Sequence, residues 1–217
     1  MTPSVKPIKS KTASFDVDAQ RCFTPLCEDE LPVPGGNEIV AALNYQACFA
    51  QYRLGSKDAH SKVAHWVNHD RNKLGQAKDL GPNMDAYWPP HAIPGTPGFE
   101  LIPGLPKISD YDFFVWKGVE LDMHPYGACY HDLAQRMSTG VIEYLQVKGI
   151  DTIIVGGLAT DYCVKNTAVQ LAEAGFRVIL NLSACRAISD ETLQQAVAAM
   201  RENHIEILAD LSHWETA

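Results

Sequence analysis

The chain has 217 residues, of which 46% are hydrophobic and 20% are charged, a composition typical of a globular protein with a buried core. Its formal net charge of -8 argues against a nucleic-acid or anionic-membrane partner, because phosphate groups would repel the protein. No apolar stretch approaches the length of a membrane span, which argues against an integral membrane protein.

The basic, proline-containing start of the chain lacks the apolar segment of a secretory signal. We expect a flexible tail over residues 1–12, followed by a single domain over residues 13–217. Six cysteines without CxxC pairs indicate cytosolic thiols rather than a disulfide framework, and we therefore expect a cytoplasmic protein. The sequence leaves a monomer and a homo-oligomer open.

Predicted strands and helices alternate along the chain. Short apolar or β-branched runs predict strands at 13–18, 49–54, 113–116, 153–155, 177–182 and 205–208. Helical spacing of apolar residues predicts helices at 39–47, 127–135, 141–147, 163–175 and 191–203. Residues 55–109 are irregular, which is typical of a functional loop region. This order predicts an α/β fold with three α/β/α layers around a parallel, Rossmann-like sheet.

The stretch from Thr152 to Val169 joins a buried strand, a glycine turn and the start of a helix. Cys163 falls in the predicted first turn of that helix, where the helix dipole and free backbone N–H groups favour a thiolate. This stretch alone leaves two interpretations open, since cysteine is also among the most frequently buried residue types.

Three reactive side chains follow separate predicted strands. Asp18, Lys117 and Cys163 each lie at the carboxyl end of a strand, where ligand crevices of parallel sheets form. An acid, a lysine and a thiol are the set needed for acyl transfer through a thioester. The alternative is a buried Asp18–Lys117 ion pair beside an uninvolved cysteine. The cost of burying charge without a use favours the catalytic interpretation.

A second group of residues predicts a metal site. Asp58 and His60 alternate after the second predicted strand, so both side chains point the same way and suit one ion. His91 lies in a proline-stiffened loop and is a third candidate ligand. His65, and after it His69, are further candidates. Histidines in loops are often solvent-exposed, and the remaining four are assigned to surface or core positions: His124, His131, His204 and His213.

Five segments resemble, in order along the chain, the signatures of the nicotinamidase/pyrazinamidase branch of the isochorismatase-like cysteine hydrolases. They read FDVDAQRCF, SKDAH, WPPHAIPGTPG, VWKG and GGLATDYCVKNTA, and the resemblance runs from about Phe15 to Ser189. It implies a single domain with a six-stranded parallel sheet. It also implies a deamidase of NAD salvage that converts nicotinamide and water to nicotinate and ammonia, with pyrazinamide as a further substrate.

The resemblance assigns catalytic roles. Cys163 would be the nucleophile, Asp18 its proton acceptor, and Lys117 the cation that stabilises both. The bond between Leu158 and Ala159 would be a cis peptide. It would aim the N–H groups of Ala159 and Cys163 at the oxyanion.

The resemblance also implies a cofactor. Asp58, His60 and His91 would bind one divalent metal ion, either zinc, iron or manganese, which holds the ring nitrogen of the substrate. His65 falls where some members of the family have an additional histidine ligand. The implied partner of the site is therefore a small aromatic amide.

Phe23 and Trp88 match the aromatic residues that sandwich the pyridine ring in the family. The chain departs from the family pattern at Ala59, Ser61 and Ala92, where Trp, Pro and Cys are common. These departures leave the catalytic and metal groups in place but alter the pocket walls. Two alternatives therefore stay open: a related amidohydrolase acting on another small amide or carbamoyl compound, and a catalytically silent binding protein.

Overall fold

The computed structural model describes residues 5–76 and 80–214, and within them six strands form one parallel sheet. The strands are β1 (Thr12–Val17), β2 (Tyr52–Asp58), β3 (Phe113–Lys117), β4 (Thr152–Leu158), β5 (Arg177–Arg186) and β6 (Glu206–Leu208). Their order across the sheet is β3-β2-β1-β4-β5-β6, and each neighbouring pair is parallel. The predicted six-stranded parallel sheet is confirmed.

Helices cover both faces of the sheet. The α-helices of the described residues are α1 (Val40–Ala47), α2 (Val141–Val147), α3 (Lys165–Glu173) and α4 (Asp190–Glu202). Leu145, Leu171 and Met200, one from each of α2 to α4, share a buried core with Val155 of β4. On the opposite face α1 approaches the sheet closely, since a Cβ at Gly156 would lie 2.9 Å from a methyl of Leu43. The three-layer prediction is therefore confirmed, and burial of every β4 residue explains the apolar run from Ile153 to Val155.

The second strand lies further along the chain than its alternating pattern predicted. β2 spans Tyr52–Asp58 instead of 49–54. Phe49 is buried outside the sheet, where its ring packs edge-on against Trp214 at 5.4 Å between centroids. As a result Asp58 is the last residue of β2, and it pairs in register with Lys117, the last residue of β3.

The helix predicted over residues 127–135 is wrong, since this segment forms turns. A helix would pair the His131 N–H with the Gly127 carbonyl, but the His131 N–H donates to the Met137 carbonyl at 2.8 Å instead. The residues before it are held against α3, where the Ala128 N–H donates to Thr167 Oγ1 at 3.0 Å and the Cys129 N–H donates to Gln170 Oε1 at 3.1 Å. Hydrogen bonds to groups outside the segment therefore override the local spacing of apolar residues.

The start of the chain is more structured than its composition indicated. Residues 1–4 of the predicted tail lie outside the described residues, while Lys9–Lys11 form a 3-10 turn and Thr12 opens β1. The division into a tail over 1–12 and a domain over 13–217 stays a prediction. In the described part of the chain, no helix combines the length and apolar character that crossing a membrane requires.

The strand order reverses between β1 and β4. β2 and β3 lie on one side of β1, and β4, β5 and β6 lie on the other. In sheets of this order the loops that leave neighbouring strands in opposite directions open a crevice at the reversal. Asp18 directly follows β1, and Cys163 lies five residues after Leu158, the end of β4. The topology therefore places both side chains at this crevice.

Close contact between β1 and β4 below the crevice gives a stability prediction. Gly157 has φ +136°, and a Cβ there would lie 1.9 Å from the carbonyl oxygen of Val17. We expect Gly157→Ala to lower the free energy of unfolding by about 3 kcal/mol or more, measured by urea denaturation.

Gly175→Ala is the matched control, since Gly175 has φ +91° but no described atom within 4 Å of a Cβ. It should cost only the backbone strain, about 1 kcal/mol. Equal losses in the two variants would contradict the role given to this contact.

Candidate active site

The Lys117 ammonium group lies at the centre of the crevice. Its Nζ is 3.0 Å from Asp18 Oδ2 and 3.7 Å from Cys163 Sγ. It also forms a short ion pair with Asp58 Oδ1 and donates to the carbonyl oxygen of Pro125 at 3.1 Å. All of these side chains are buried. The structure thus brings together the acid, lysine and thiol that the sequence placed at three separate strand ends.

The backbone at Asp18 turns its carboxylate into the crevice. Asp18 has φ +45°, a left-handed conformation that is uncommon outside glycine and is concentrated at functional sites. Ser56 Oγ donates to Asp18 Oδ1 at 2.7 Å and accepts the Asp18 N–H at 3.2 Å. Asp16, two residues earlier, instead pairs with Arg53. Arg53 lies three residues before Ser56 in β2, so their side chains point to opposite faces of the sheet. Ser56 therefore fixes the orientation of Asp18, and the sequence motifs did not reveal it.

Burial and charge set the protonation states of the three groups. Burial raises the pKa of the Asp18 carboxyl, although the Lys117 charge opposes the shift. Burial likewise raises the pKa of the Cys163 thiol well above its usual value, again against the Lys117 charge. Burial alone would lower the pKa of Lys117, but the Asp18 and Asp58 carboxylates outweigh it and raise that pKa. The site thus holds a permanent cation, a neutral thiol and a carboxylate of increased basicity.

Cys163 sits in a wide turn between β4 and α3. The Leu158–Ala159 peptide bond is cis, as the resemblance implied. Thr160–Val164 form a π-helical turn in place of the predicted first α-helical turn, and α3 follows. The Ala159 carbonyl accepts N–H groups of Tyr162 and Val164, each at 3.1 Å. Such π turns occur frequently at functional sites, and this one sets Cys163 at the crevice rather than along α3.

His60 and His91 are each held by a hydrogen bond through Nδ1. Nδ1 of His60 lies 2.9 Å from the Gly118 carbonyl, and Nδ1 of His91 lies 2.7 Å from the Pro89 carbonyl. A protonated Nδ1 in each bond leaves Nε2 as the free lone pair, the arrangement usual for metal-binding histidines. His60 Nε2 is buried, has no hydrogen-bond partner among the described residues, and lies 3.4 Å from Asp58 Oδ1. Asp58 Oδ1 and a ligand nitrogen of His91 therefore both lie close to the His60 ring.

His124 joins this group, and His65 does not. Ligand nitrogens of His60, His91 and His124 all lie within 4.8 Å of one another. His65 is exposed and lies outside this group of described histidines, as does the exposed His69. The structure thus places His124 within the imidazole group and the candidate His65 outside it. The reason is that the loop after β3 is hydrogen-bonded to the loop after β2, through Trp66 Nε1–H to the Met123 carbonyl and the His124 N–H to the Asn83 carbonyl, which local spacing cannot reveal.

The electrostatic states of these residues suit a metal ion. Burial lowers the pKa of His91 to about 3, and it lowers the pKa of His124 well below its usual value. Burial would raise the pKa of Asp58, but the Lys117 charge holds it well below its usual range. Neutral imidazoles and an ionised carboxylate are the donors that zinc, iron and manganese prefer in proteins. The residues present therefore fit one divalent metal ion.

One cleft is lined by both the thiol of Cys163 and the imidazoles of His91 and His124, together with Asp58. Phe23 and Trp88, the two predicted aromatic residues, also line it. Its further lining residues are Leu31, Tyr126, Ala159, Tyr162 and Ile188. Aromatic walls with a few convergent polar groups are typical of sites that bind small molecules.

Hydrogen bonds fix the aromatic wall of this cleft. Trp88 Nε1–H donates to Tyr126 Oη at 3.1 Å, and the Tyr126 hydroxyl donates to Asp85 Oδ1 at 2.8 Å. Tyr162 packs edge-on against Trp88 at 5.3 Å between ring centroids. The motifs contained Tyr162, directly before Cys163, but no pattern indicated that it or Tyr126 would line the cleft. Trp88 is thus held in place rather than free to rotate.

Comparison with known proteins establishes the class to which this fold and crevice belong. The model of the isochorismatase domain matches residues 17–212, and the chain belongs to the isochorismatase family. Within that family its relatives place it in the nicotinamidase branch. The resemblance drawn from the five motifs is therefore confirmed.

Three relatives illustrate this placement. A nicotinamidase of Acinetobacter baylyi is 30% identical over 183 residues, which cover 83% of this chain and 84% of the relative. The structure of a nicotinamidase/pyrazinamidase of Acinetobacter baumanii is 28% identical, with a TM-score of 0.82 over 92% of this chain and 96% of its own. The structure of a pyrazinamidase of Pyrococcus horikoshii in complex with zinc is 27% identical, with a TM-score of 0.70 over 91% and 98% of the two chains.

Proposed function

We propose that the protein is a metal-dependent nicotinamidase that hydrolyses the carboxamide of nicotinamide to nicotinate and ammonia. The observation that carries this proposal is the arrangement of the cleft, with a thiol, an acid and a lysine on one side and metal-type donors on the other. The nicotinamidase relatives and the zinc-bound pyrazinamidase support both halves of it. Pyrazinamide, which has a similar ring and carboxamide, is a further expected substrate.

The cleft orients such a substrate by its two ends. The flat ring enters between Phe23 and Trp88, which line the cleft and offer aromatic faces and edges. Its carboxamide then faces Cys163, and its ring nitrogen faces the imidazole group. A divalent ion held by Asp58, His60 and His91 would supply a Lewis acid that accepts the lone pair of that nitrogen. A cleft with a thiol and metal-type donors among its lining residues therefore favours an aromatic amide whose ring carries a nitrogen.

The first half of the reaction forms a thioester. An Asp18 carboxylate oxygen lies within 4.8 Å of Cys163 Sγ, and it accepts the thiol proton as the sulfur attacks the carboxamide carbon. Backbone N–H groups of Ala159 and Cys163 receive the oxyanion. Protonated Asp18 then returns the proton to the departing nitrogen, which leaves as ammonia. Lys117 stabilises the negative charge as it passes between Asp18 and the sulfur.

The second half releases the acid. Asp18 accepts a proton from a water molecule, whose oxygen attacks the thioester carbon. The Cys163 thiolate leaves, receives the proton and becomes a thiol again, and the product ionises to nicotinate. A raised pKa makes Asp18 a stronger base for both steps than an ordinary carboxylate.

An ammonia-release assay with matched amides tests the proposal. We expect turnover of nicotinamide and pyrazinamide, and a kcat/KM for benzamide at least about 100-fold lower, because benzamide has the same carboxamide on a flat ring without a nitrogen. Equal kcat/KM values for benzamide and nicotinamide would contradict the proposal that the metal site binds the ring nitrogen of the substrate. Faster hydrolysis of a carbamoyl compound would favour the alternative amidohydrolase, and no ammonia from any amide would favour a catalytically silent protein.

We further propose that the ion is zinc, iron or manganese and that the enzyme acts in the cytoplasm. Zinc is supported by the complex of the Pyrococcus horikoshii pyrazinamidase, and the other two by the mixed imidazole and carboxylate donors. A cytoplasmic location is supported by the cysteines, which are all free, four of them buried, within the described residues. Elemental analysis of the purified protein would identify the ion.

A further inference from the structure

We propose that His124 is a direct ligand of the metal ion, so that the loop after β3 helps to bind it. This inference rests on the proposed function, since it takes the site to hold a divalent ion. The ion would then be bound from three segments: the end of β2, the proline-containing loop around His91, and the loop after β3. His124 would supply the additional imidazole expected at His65.

The first support is the burial of His124 and its position beside the other two imidazoles. His124 is only 4% exposed, and its Nδ1 is buried without a hydrogen-bond partner among the described residues. Burying a polar atom without a partner costs free energy, and a metal–nitrogen bond would remove that cost. A ligand nitrogen of His124 lies within 4.8 Å of those of His60 and His91. The ring centroid of His124 is 5.2 Å from that of His60 and 6.1 Å from that of His91.

The second support is that the loop holds the ring in place. Three successive residues each make a hydrogen bond through the main chain to a different part of the protein. The Met123 carbonyl accepts Trp66 Nε1–H at 3.1 Å, the His124 N–H donates to the Asn83 carbonyl at 2.8 Å, and the Pro125 carbonyl accepts from Lys117 at 3.1 Å. An imidazole fixed in this way is oriented before the ion arrives, as metal sites require.

The third support is the wall that packs behind the imidazoles. The Trp66 ring is fully buried, with its centroid 4.3 Å from His124, 4.6 Å from His60 and 5.5 Å from His91. One rigid indole thus contacts all three rings and shields their far sides from water. Trp66 is the residue directly after the exposed His65, so the chain presents an indole to the cluster at this point and leaves the neighbouring imidazole outside.

An ion bound to His124 would also restrain residues on the catalytic side of the cleft. His124 is adjacent to Pro125, whose carbonyl holds Lys117, and it is two residues from Tyr126, whose hydroxyl holds Trp88. An ion bound to His124 would therefore restrain the segment that positions both the catalytic lysine and the aromatic wall. Metal binding would hold the reactive half of the cleft in place, in addition to binding the ring nitrogen of the substrate.

The test is metal affinity in the variant His124→Phe, which keeps an aromatic ring against Trp66 but removes both nitrogens. Affinity for Zn²⁺ is measured by competition with a chromophoric chelator, and the coordination of Co²⁺ by its visible absorption spectrum. We expect the variant to bind Zn²⁺ at least about 10-fold more weakly than the wild type, with an altered Co²⁺ spectrum. His65→Ala is the matched control and should leave both readouts unchanged.

Thermal unfolding of the metal-free proteins checks that His124→Phe is folded, and His124→Ala provides a second variant. Wild-type Zn²⁺ affinity and Co²⁺ spectra in both His124 variants would overturn the inference, even if their KM for nicotinamide rose, since His124 would then contact only the substrate. In that case the proposed function would stand. A wild-type protein that binds neither ion would overturn the inference together with the metal-dependent part of the proposed function.

Discussion

Cys163→Ala should abolish the release of ammonia from nicotinamide, with a fall in kcat/KM of at least about 10⁴-fold. The sulfur lies 3.7 Å from Lys117 Nζ and faces the cleft, and no other described thiol lines that cleft. Without it, Asp18 has no thiol to deprotonate, and the thioester route is closed. Initial rates of ammonia formation over a range of nicotinamide concentrations measure the effect.

The matched control for this variant is Cys48→Ala, which removes an exposed thiol outside the cleft. Its kcat/KM should equal that of the wild type. Thermal unfolding of Cys163→Ala should show an intact fold, because the change removes one sulfur atom at the edge of a cleft. Near-native turnover by the folded Cys163→Ala variant would exclude Cys163 as the nucleophile.

Loss of the metal should have the second largest effect. His60→Ala removes the imidazole whose Nε2 is buried, unpartnered among the described residues and 3.4 Å from Asp58 Oδ1. We expect the purified variant to contain little metal and its kcat/KM for nicotinamide to fall at least about 100-fold, mainly through KM, because the ring nitrogen loses its partner. Elemental analysis and steady-state kinetics measure the two effects.

Two comparisons make this prediction specific. His69→Ala removes an exposed histidine and should change neither the metal content nor the kinetics. Treating the wild type with a chelator should reproduce the kinetics of His60→Ala, and adding Zn²⁺ back should restore activity to the wild type only. Full metal content in His60→Ala would show that the ion is bound elsewhere.

The sequence predicted the six parallel strands because strand and helix patterns alternate along the chain, although it placed β2 too early. It predicted that Asp18, Lys117 and Cys163 lie together because parallel topology carries strand ends to a single edge, whatever the loops do. The motifs added Phe23 and Trp88, which line the cleft. Each of these predictions depends on strand order or on local sequence.

What the sequence could not predict depends on contacts between distant loops. His124 enters the imidazole group because Asn83 and Trp66, from another loop, hold its segment by hydrogen bonds. The segment 127–135 is not helical because its His131 N–H donates to the Met137 carbonyl outside the segment, while Thr167 and Gln170 of α3 hold its first residues by hydrogen bonds. Such contacts leave no periodic pattern in the sequence. The contacts of the His124 segment nevertheless decide which histidine faces the cleft.

The position of Asp58 at the junction of the two halves has a consequence for the charge of the crevice. Its Oδ1 pairs with Lys117 and also lies 3.4 Å from His60 Nε2, so one carboxylate serves the lysine and the metal-type donors together. With Asp18 and Asp58 ionised and Lys117 protonated, these three side chains together have a net charge of -1. A divalent cation would reverse it to +1. Without the ion, these residues repel an anion. With the ion bound, they would attract the thiolate as it forms and the nicotinate before it departs.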